Sequence, residues 1–273
     1  MILKNKNAVI YGGGGSLGSA VAKALARDGA HVVLTGRTIS SLKKVQDEII
    51  SKGGTATVAV VDALDEKAVR DHIHEMVNNV GSVDITFNAI DTRDVQDKRL
   101  AEMPLDEFIR PIHIAMTTQF ITTTAAARVM MKQYHGVILS LTATPGGIGY
   151  PGVGGFGPMC CAVEGFSRNL AAELGPYGIR VINIRSGGSP DSRPFVEAIQ
   201  HLGDEAKTVI TSLEGDTMLK TLPLMDDIGN VAAFLASDRA GKITGVTIDV
   251  TCGTTSALNH KTETIPFGNL NKN

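Results

Sequence analysis

Ala8 to Gly29 reads AVIYGGGGSLGSAVAKALARDG. Its first four residues, Ala8 to Tyr11, have the length and composition of a buried strand. Gly12 to Gly15 then form a tight turn, and Leu17 to Asp28 carries apolar residues at Val21, Ala24 and Leu25, the spacing of a helix with one buried face. Gly29 ends that helix. A second unit follows directly: a strand from His31 to Thr35 and a helix from about Ser40 to Ser51, closed by Gly53 and Gly54. Further strands are predicted over Thr57–Val61, Ile85–Asn88, Gly136–Leu141, Ile179–Ile184 and Val246–Val250, with helical patterns between them. Strands that are apolar almost throughout and alternate with helices build a parallel sheet covered on both faces. The expected fold is α/β, a doubly wound parallel sheet of about seven strands.

The chain has 273 residues, 43% of them hydrophobic, enough for one large core and a single domain. Its net charge of -2 gives no basic surface for nucleic acid or for an acidic membrane, and neither partner is expected. Of the three cysteines, Cys160 and Cys161 are adjacent and Cys252 stands alone. That spacing fits neither a disulfide framework nor a metal site, so a reducing cytoplasm is the expected location and no metal is expected. The apolar run at Ala8–Tyr11 is too short for a signal peptide, and no later segment approaches a membrane span.

Two segments depart from the alternation. Ser186 to Leu224 (186–224) is a long insertion with a helix expected at Phe195 to Leu202, and insertions of this length serve as lids or binding segments. Its apolar residues, among them Phe195, Ile199, Val209, Ile210 and Leu213, suggest a small, partly apolar ligand or substrate. The polar tail from Asn259 to Asn273 is left open between mobility and docking on a neighbour. The expected organisation is one domain over 1–255, including the 186–224 lid, and a C-terminal tail over 256–273.

Gly12 to Gly18 lies between a strand and a helix, where free N–H groups of the first helical turn hold a pyrophosphate. A dinucleotide site of this kind usually has a carboxylate after the second strand, to accept from the ribose 2′-hydroxyl of NAD. Here the residues are Thr35-Gly36-Arg37. A guanidinium in that place suits the 2′-phosphate, which predicts NADP(H) in preference to NAD(H).

The stretch FGPMCCAVEGFSRNLAAELGPYGIRVINI, Phe156 to Ile184, resembles the short-chain dehydrogenase/reductase family. The glycine turn before it, and Asp227-Ile228, Phe234 to Ser237 and Thr244-Gly245 after it, extend the resemblance from Lys6 to about Gly253. The resemblance implies a Rossmann-type sheet, an NAD(P)-dependent oxidoreductase, and a homodimer or homotetramer joined through the helices containing Thr117–Lys132 and Pro158–Gly175. It fits the glycine turn in two registers. One is Gly12, Gly15 and Gly18; the other puts Ser16 in place of a middle glycine, with Leu17 beside it. Tyr11 stands where the family usually has threonine. By the same resemblance Asp62 and Ala63 border the adenine, and Asn88 and Ala89 begin the segment beside the cofactor, with Asp91 as an unexpected carboxylate.

The family's catalytic Asn, Ser, Tyr and Lys map onto Ala115, Ala143, Phe156 and Cys160. Phenylalanine has no proton to give, alanine cannot donate to a developing oxyanion, and cysteine is too short and too weakly polar to replace an ammonium. Thr142, Thr144, Tyr150 and His113 are the candidate replacements. Cys160 near a helix N-terminus could favour a thiolate, while Cys160-Cys161-Ala162 also reads as small packing residues. Three functions stay open: an NADP(H)-dependent carbonyl or 3-oxoacyl reductase using substitute groups, a nucleotide- or metabolite-binding protein without turnover, and a non-redox enzyme acting through Cys160 or His113.

Overall fold

Seven segments meet in one parallel sheet, because the five inner ones carry nearly unbroken runs of buried side chains that only helices on both sides can cover, while the two at the edges, Thr55–Val60 and Thr247–Val250, are partly exposed. The computed structural model describes residues 1–257; the expected polar tail from Asn259 lies outside the described residues. The order of elements is β1 (Asn7–Tyr11), α1 (Ser16–Arg27), β2 (His31–Gly36), α2 (Ile39–Ser51), β3 (Thr55–Val60), α3 (Glu66–Val80) and β4 (Ile85–Asn88). Then come α4 (Leu105–Gln133), β5 (Gly136–Ala143), α5 (Phe156–Leu174), β6 (Ile179–Ser186), α6 (Arg193–Leu202), α7 (Asp204–Asp216), α8 (Met225–Ala236) and β7 (Thr247–Val250). The strand order is β3-β2-β1-β4-β5-β6-β7, all parallel, so the direction of winding reverses between β1 and β4.

Alternation along the strands divides the core into two layers. Ala8 and Ile10 of β1 face α1, α2 and α8, packing with Val21, Leu25 and Ile228. Val9 and Tyr11 face α3, α4 and α5, packing with Ile73, Ile121 and Leu170. Tyr11 is thereby a core residue, and burial holds its phenol well above the usual range.

Several boundaries differ from expectation by about two residues: β5 and β6 run on to Ala143 and Ser186, and α6 begins at Arg193. Strand β3 begins at Thr55, because its pairing with β2 starts at His31 opposite Thr55. The 186–224 insertion contains two helices, α6 and α7, where one was expected. Gly203, at φ 56° and ψ −118°, breaks the path between them, and Asp204 and Glu205 then open α7 with carboxylates in its first turn. Val209, Ile210 and Leu213 belong to that second helix.

Candidate functional site

A cleft of about 500 Å³ opens where the winding reverses, above the C-terminal ends of β1 and β4. Gly15, as the cap of α1, and Ser16, Leu17 and Gly18 of its first turn form one wall. The N–H groups of a first helical turn have no intrahelical acceptors, so this wall presents donors and the positive end of a helix. Glycine is required at two places that shape it. Gly12 has a φ of +78°, and a Cβ there would meet the carbonyl of Ala89; a Cβ on Gly18 would meet the carbonyl of Gly12. The N–H groups of Gly12 and Gly13 both donate to the Thr35 carbonyl at 3.0 Å, which fastens the turn to β2. The start of α6 closes over the same wall: the Arg193 N–H donates to Ser16 Oγ at 3.1 Å, and Arg193 pairs with Glu197 at 3.5 Å.

Asn88 and Ala89 lie on the cleft floor. Asn88 Nδ2 donates to Thr122 Oγ1 at 3.1 Å, and its Oδ1 accepts from the Ile90 N–H at 3.1 Å, so its amide holds the turn after β4 against α4. Asp91 and Asp94 border the opening; Asp91 accepts from the Arg93 N–H at 3.0 Å, and Asp94 from the Thr92 hydroxyl at 3.2 Å. Arg37, Asp62 and Ala63 are not among the residues lining this cleft. They follow the adjacent strands β2 and β3, where Gly36 pairs with Val60. Arg37 and Asp62 are exposed, Asp62 Oδ1 accepts from the Leu64 N–H at 3.0 Å, and Ala63 is buried.

Ala115 of α4, Ala143 at the end of β5 and Phe156 at the start of α5 come together at the other end of the cleft. Cys160 does not join them at the surface. It is fully buried against Ala115, Met159 and Val163. Burial pushes its thiol up to about 12, against a lowering hydrogen bond with the Ala143 backbone and with Glu164 adding to the rise. Of the two readings of Cys160, this burial favours packing and opposes the thiolate: desolvation one turn into α5 outweighs the nearby helix end.

None of the candidate replacements presents a free group to this end. Thr142 lines it, but its hydroxyl donates to Glu164 Oε1 at 2.9 Å and accepts from Asn183 Nδ2 at 2.7 Å. Thr144 is buried outside the lining, and His113 is exposed on α4, also outside it. Tyr150 borders a separate groove formed by the segment from Pro145 to Gly154, the start of α5, and Arg99 and Leu100. The apolar lid residues are likewise absent from the lining; the insertion contributes Ser186, Gly187, Ser192, Arg193 and Pro194. Leu141, Met159 and Val163 supply the apolar surface instead.

Two features escaped the sequence reading. Glu164, read only as a fold marker, is gripped by Arg185 through Nε at 3.0 Å and Nη2 at 2.7 Å, and Arg185 also reaches Asp249 at 2.8 Å. A charge inside the apolar run Ile179 to Ser186 was the available signal. The other is Gln119, one helical turn beyond Ala115, which is buried and lines the cleft.

The sequence model of the family described as enoyl-(acyl carrier protein) reductase matches residues 13–255. A protein named short chain aldehyde dehydrogenase 1, from Euphorbia lathyris, is 29% identical over 264 residues, spanning 92% of this chain and 88% of that one. A 3-oxoacyl-(acyl-carrier-protein) reductase of Staphylococcus aureus is 30% identical over 257 residues, with 91% and 97% of the two chains covered. Among solved structures, NAD+-bound xylitol dehydrogenase superposes with a TM-score of 0.85 at 26% identity, over 93% of this chain and all of that one, 100%. Among the described residues, no helix is long and apolar enough to cross a membrane.

Proposed function

Because this chain belongs to the short-chain dehydrogenase/reductase family, we propose that it binds NADP(H) in preference to NAD(H) and does not reduce ordinary ketones or 3-oxoacyl thioesters. The observation that carries this reading is the contrast between the two ends of one cleft. The end formed by α1 offers N–H donors and a glycine turn too tight for side chains, which fits a pyrophosphate. The other end offers Ala115, Ala143 and Phe156, none with a polar side-chain atom.

A bound nicotinamide supplies or accepts a hydride. The chain's own residues are assigned as follows. Gly12, Gly15, Ser16, Leu17 and Gly18 cradle the pyrophosphate, and Arg37 meets the 2′-phosphate from the end of β2. Asp62 and Ala63 border the adenine, and Asn88 and Ala89 support the floor. Reduction of a carbonyl develops negative charge on oxygen, and losing one donor to such an oxyanion costs about 3 kcal/mol. Loss of the proton donor removes roughly a further 10²- to 10⁴-fold, though such losses do not add fully. The neutral, buried Cys160 gives no support to a non-redox reaction through that thiol.

The segment 186–224 is assigned as a lid, supported by the bond from Arg193 to Ser16 that brings α6 onto the α1 wall. The cytoplasm is the assigned location, supported by three cysteines that are all free. Fluorescence titration with NADPH and NADH tests the cofactor assignment. NADPH is expected to bind more tightly, and Arg37→Asp to reverse the order. Saturation at about 100 times Kd should add about 2.7 kcal/mol to stability. Single-turnover NADPH oxidation over a carbonyl panel tests the chemistry, and robust oxidation by the unmodified protein would refute the reading.

A further inference from the structure

Five buried side-chain atoms have no hydrogen-bond partner among the described residues, on Tyr11, His72, Gln119, Ser167 and Ser189. Of these residues only Gln119 lines the cleft. It is 4% exposed, and it follows Ala115 by one turn of α4, so the two share a helix face. Its surroundings explain the isolation. Along α4, Ala115 is apolar, and Thr118 and Thr123 spend their hydroxyls on the carbonyls of Ala115 and Gln119 itself. A buried amide left unmatched is unfavourable, and a ligand that matches it removes the penalty.

We propose that Gln119 positions the ligand of this cleft by pairing with a neutral group that both donates and accepts a hydrogen bond, a hydroxyl or a carboxamide on a compact apolar body. The amide needs a donor for Oε1 and can offer Nε2 in return. Asp91 and Asp94 in the same lining oppose a carboxylate ligand, and Arg193, a lining cation, is at the α1 end beside Glu197. Leu141, Phe156 and Met159 supply the apolar surroundings. The inference rests on the proposed reading in one respect: the nucleotide occupies the α1 end and leaves the Gln119 end for a second molecule.

The test is calorimetric titration of the full chain, saturated with NADPH, using four probes that share one ring: cyclohexanol, cyclohexanecarboxamide, methoxycyclohexane and cyclohexanecarboxylate. Cyclohexanol, the carboxamide, or both should bind about tenfold or more tightly than the ether and the carboxylate, and which one does identifies the group. Gln119→Met should erase most of that advantage without lowering the melting temperature of the ligand-free protein. Equal binding of all four probes, no binding of any, or discrimination that survives in Gln119→Met would overturn the proposal. If the methionine variant fails to fold, Gln119 is structural and the proposal also falls, unless Gln119→Leu folds and loses the discrimination. NADPH affinity is measured separately: failure there sinks the cofactor reading, and the ring series is then run on the ligand-free chain, where the same outcomes decide.

Discussion

Arg185 carries a charge out of a strand whose neighbours are mostly apolar, and it is held there by two carboxylates. Glu164 is 5% exposed, so removing Arg185 leaves a buried charge with no cation beside it and only the Thr142 hydroxyl as a donor. Arg185→Met is expected to lower the free energy of unfolding by about 3–5 kcal/mol, read from urea denaturation. Adding Glu164→Gln should recover part of that loss, because the remaining group is then neutral. The same network explains why Thr142 does not replace the hydroxyl missing at Ala143: its oxygen is already used in both directions. Restoring single residues should therefore achieve little. Phe156→Tyr alone leaves a phenol near its unperturbed pKa of about 10. Only Ala115→Asn, Ala143→Ser, Phe156→Tyr and Cys160→Lys together are expected to give NADPH-dependent carbonyl reduction, measured as single-turnover oxidation.

Helix α3 buries His72 at 8% exposure with Nδ1 unpaired. Burial lowers its pKa, with Glu75 opposing weakly, so the folded chain takes up this proton at lower pH than the unfolded chain, whose histidine titrates near about 6.5. The stabilising contribution is present above that pH and is lost as pH falls through the window toward the folded pKa. His72→Phe should flatten the decline in stability between about pH 7 and 5, as urea unfolding at several pH values would show; an unchanged slope would contradict this. In α4, a run of threonines that would ordinarily weaken a helix turns its hydroxyls back onto the preceding turn: Thr122, Thr123 and Thr124 donate to carbonyls four residues earlier at 2.7, 2.6 and 2.7 Å. Thr122 and Thr123 are buried within the protomer, whereas Thr124 lies on the partly exposed face, four residues after Phe120.

That surface bears on the whole molecule. Phe120 is 54% exposed on α4, and α4 packs beside α5, the pair of helices through which the family resemblance implies a twofold contact. Thr117 and Thr124, three residues before Phe120 and four after it, are partly exposed beside it, and an exposed aromatic next to small residues suits a helix-to-helix contact between subunits. Sedimentation at micromolar concentration is expected to give a dimer or tetramer, and Phe120→Asp to shift it toward smaller species. A monomer for the unmodified protein would remove the assignment.

The alternation of strands and helices was legible because hydrophobic periodicity is a local property: Val21, Ala24 and Leu25 define a face whatever surrounds them. The glycine turn was legible for a similar reason, since the absence of a Cβ at Gly12 and Gly18 is written in the residue type. The vacancies at Ala115, Ala143 and Phe156 needed no coordinates either, because those side chains carry no titratable proton in any environment. What became of the remaining polar groups was a tertiary outcome. Thr142 meets Glu164 across 22 positions of sequence and Asn183 across 41, Tyr150 turns into a different groove, and Gln119 is left alone in the cleft. Cys160 could be read as reactive or inert until its burial was seen. Hydrogen bonding and desolvation depend on distances between residues far apart in the chain, and the linear order of the residues does not contain those distances.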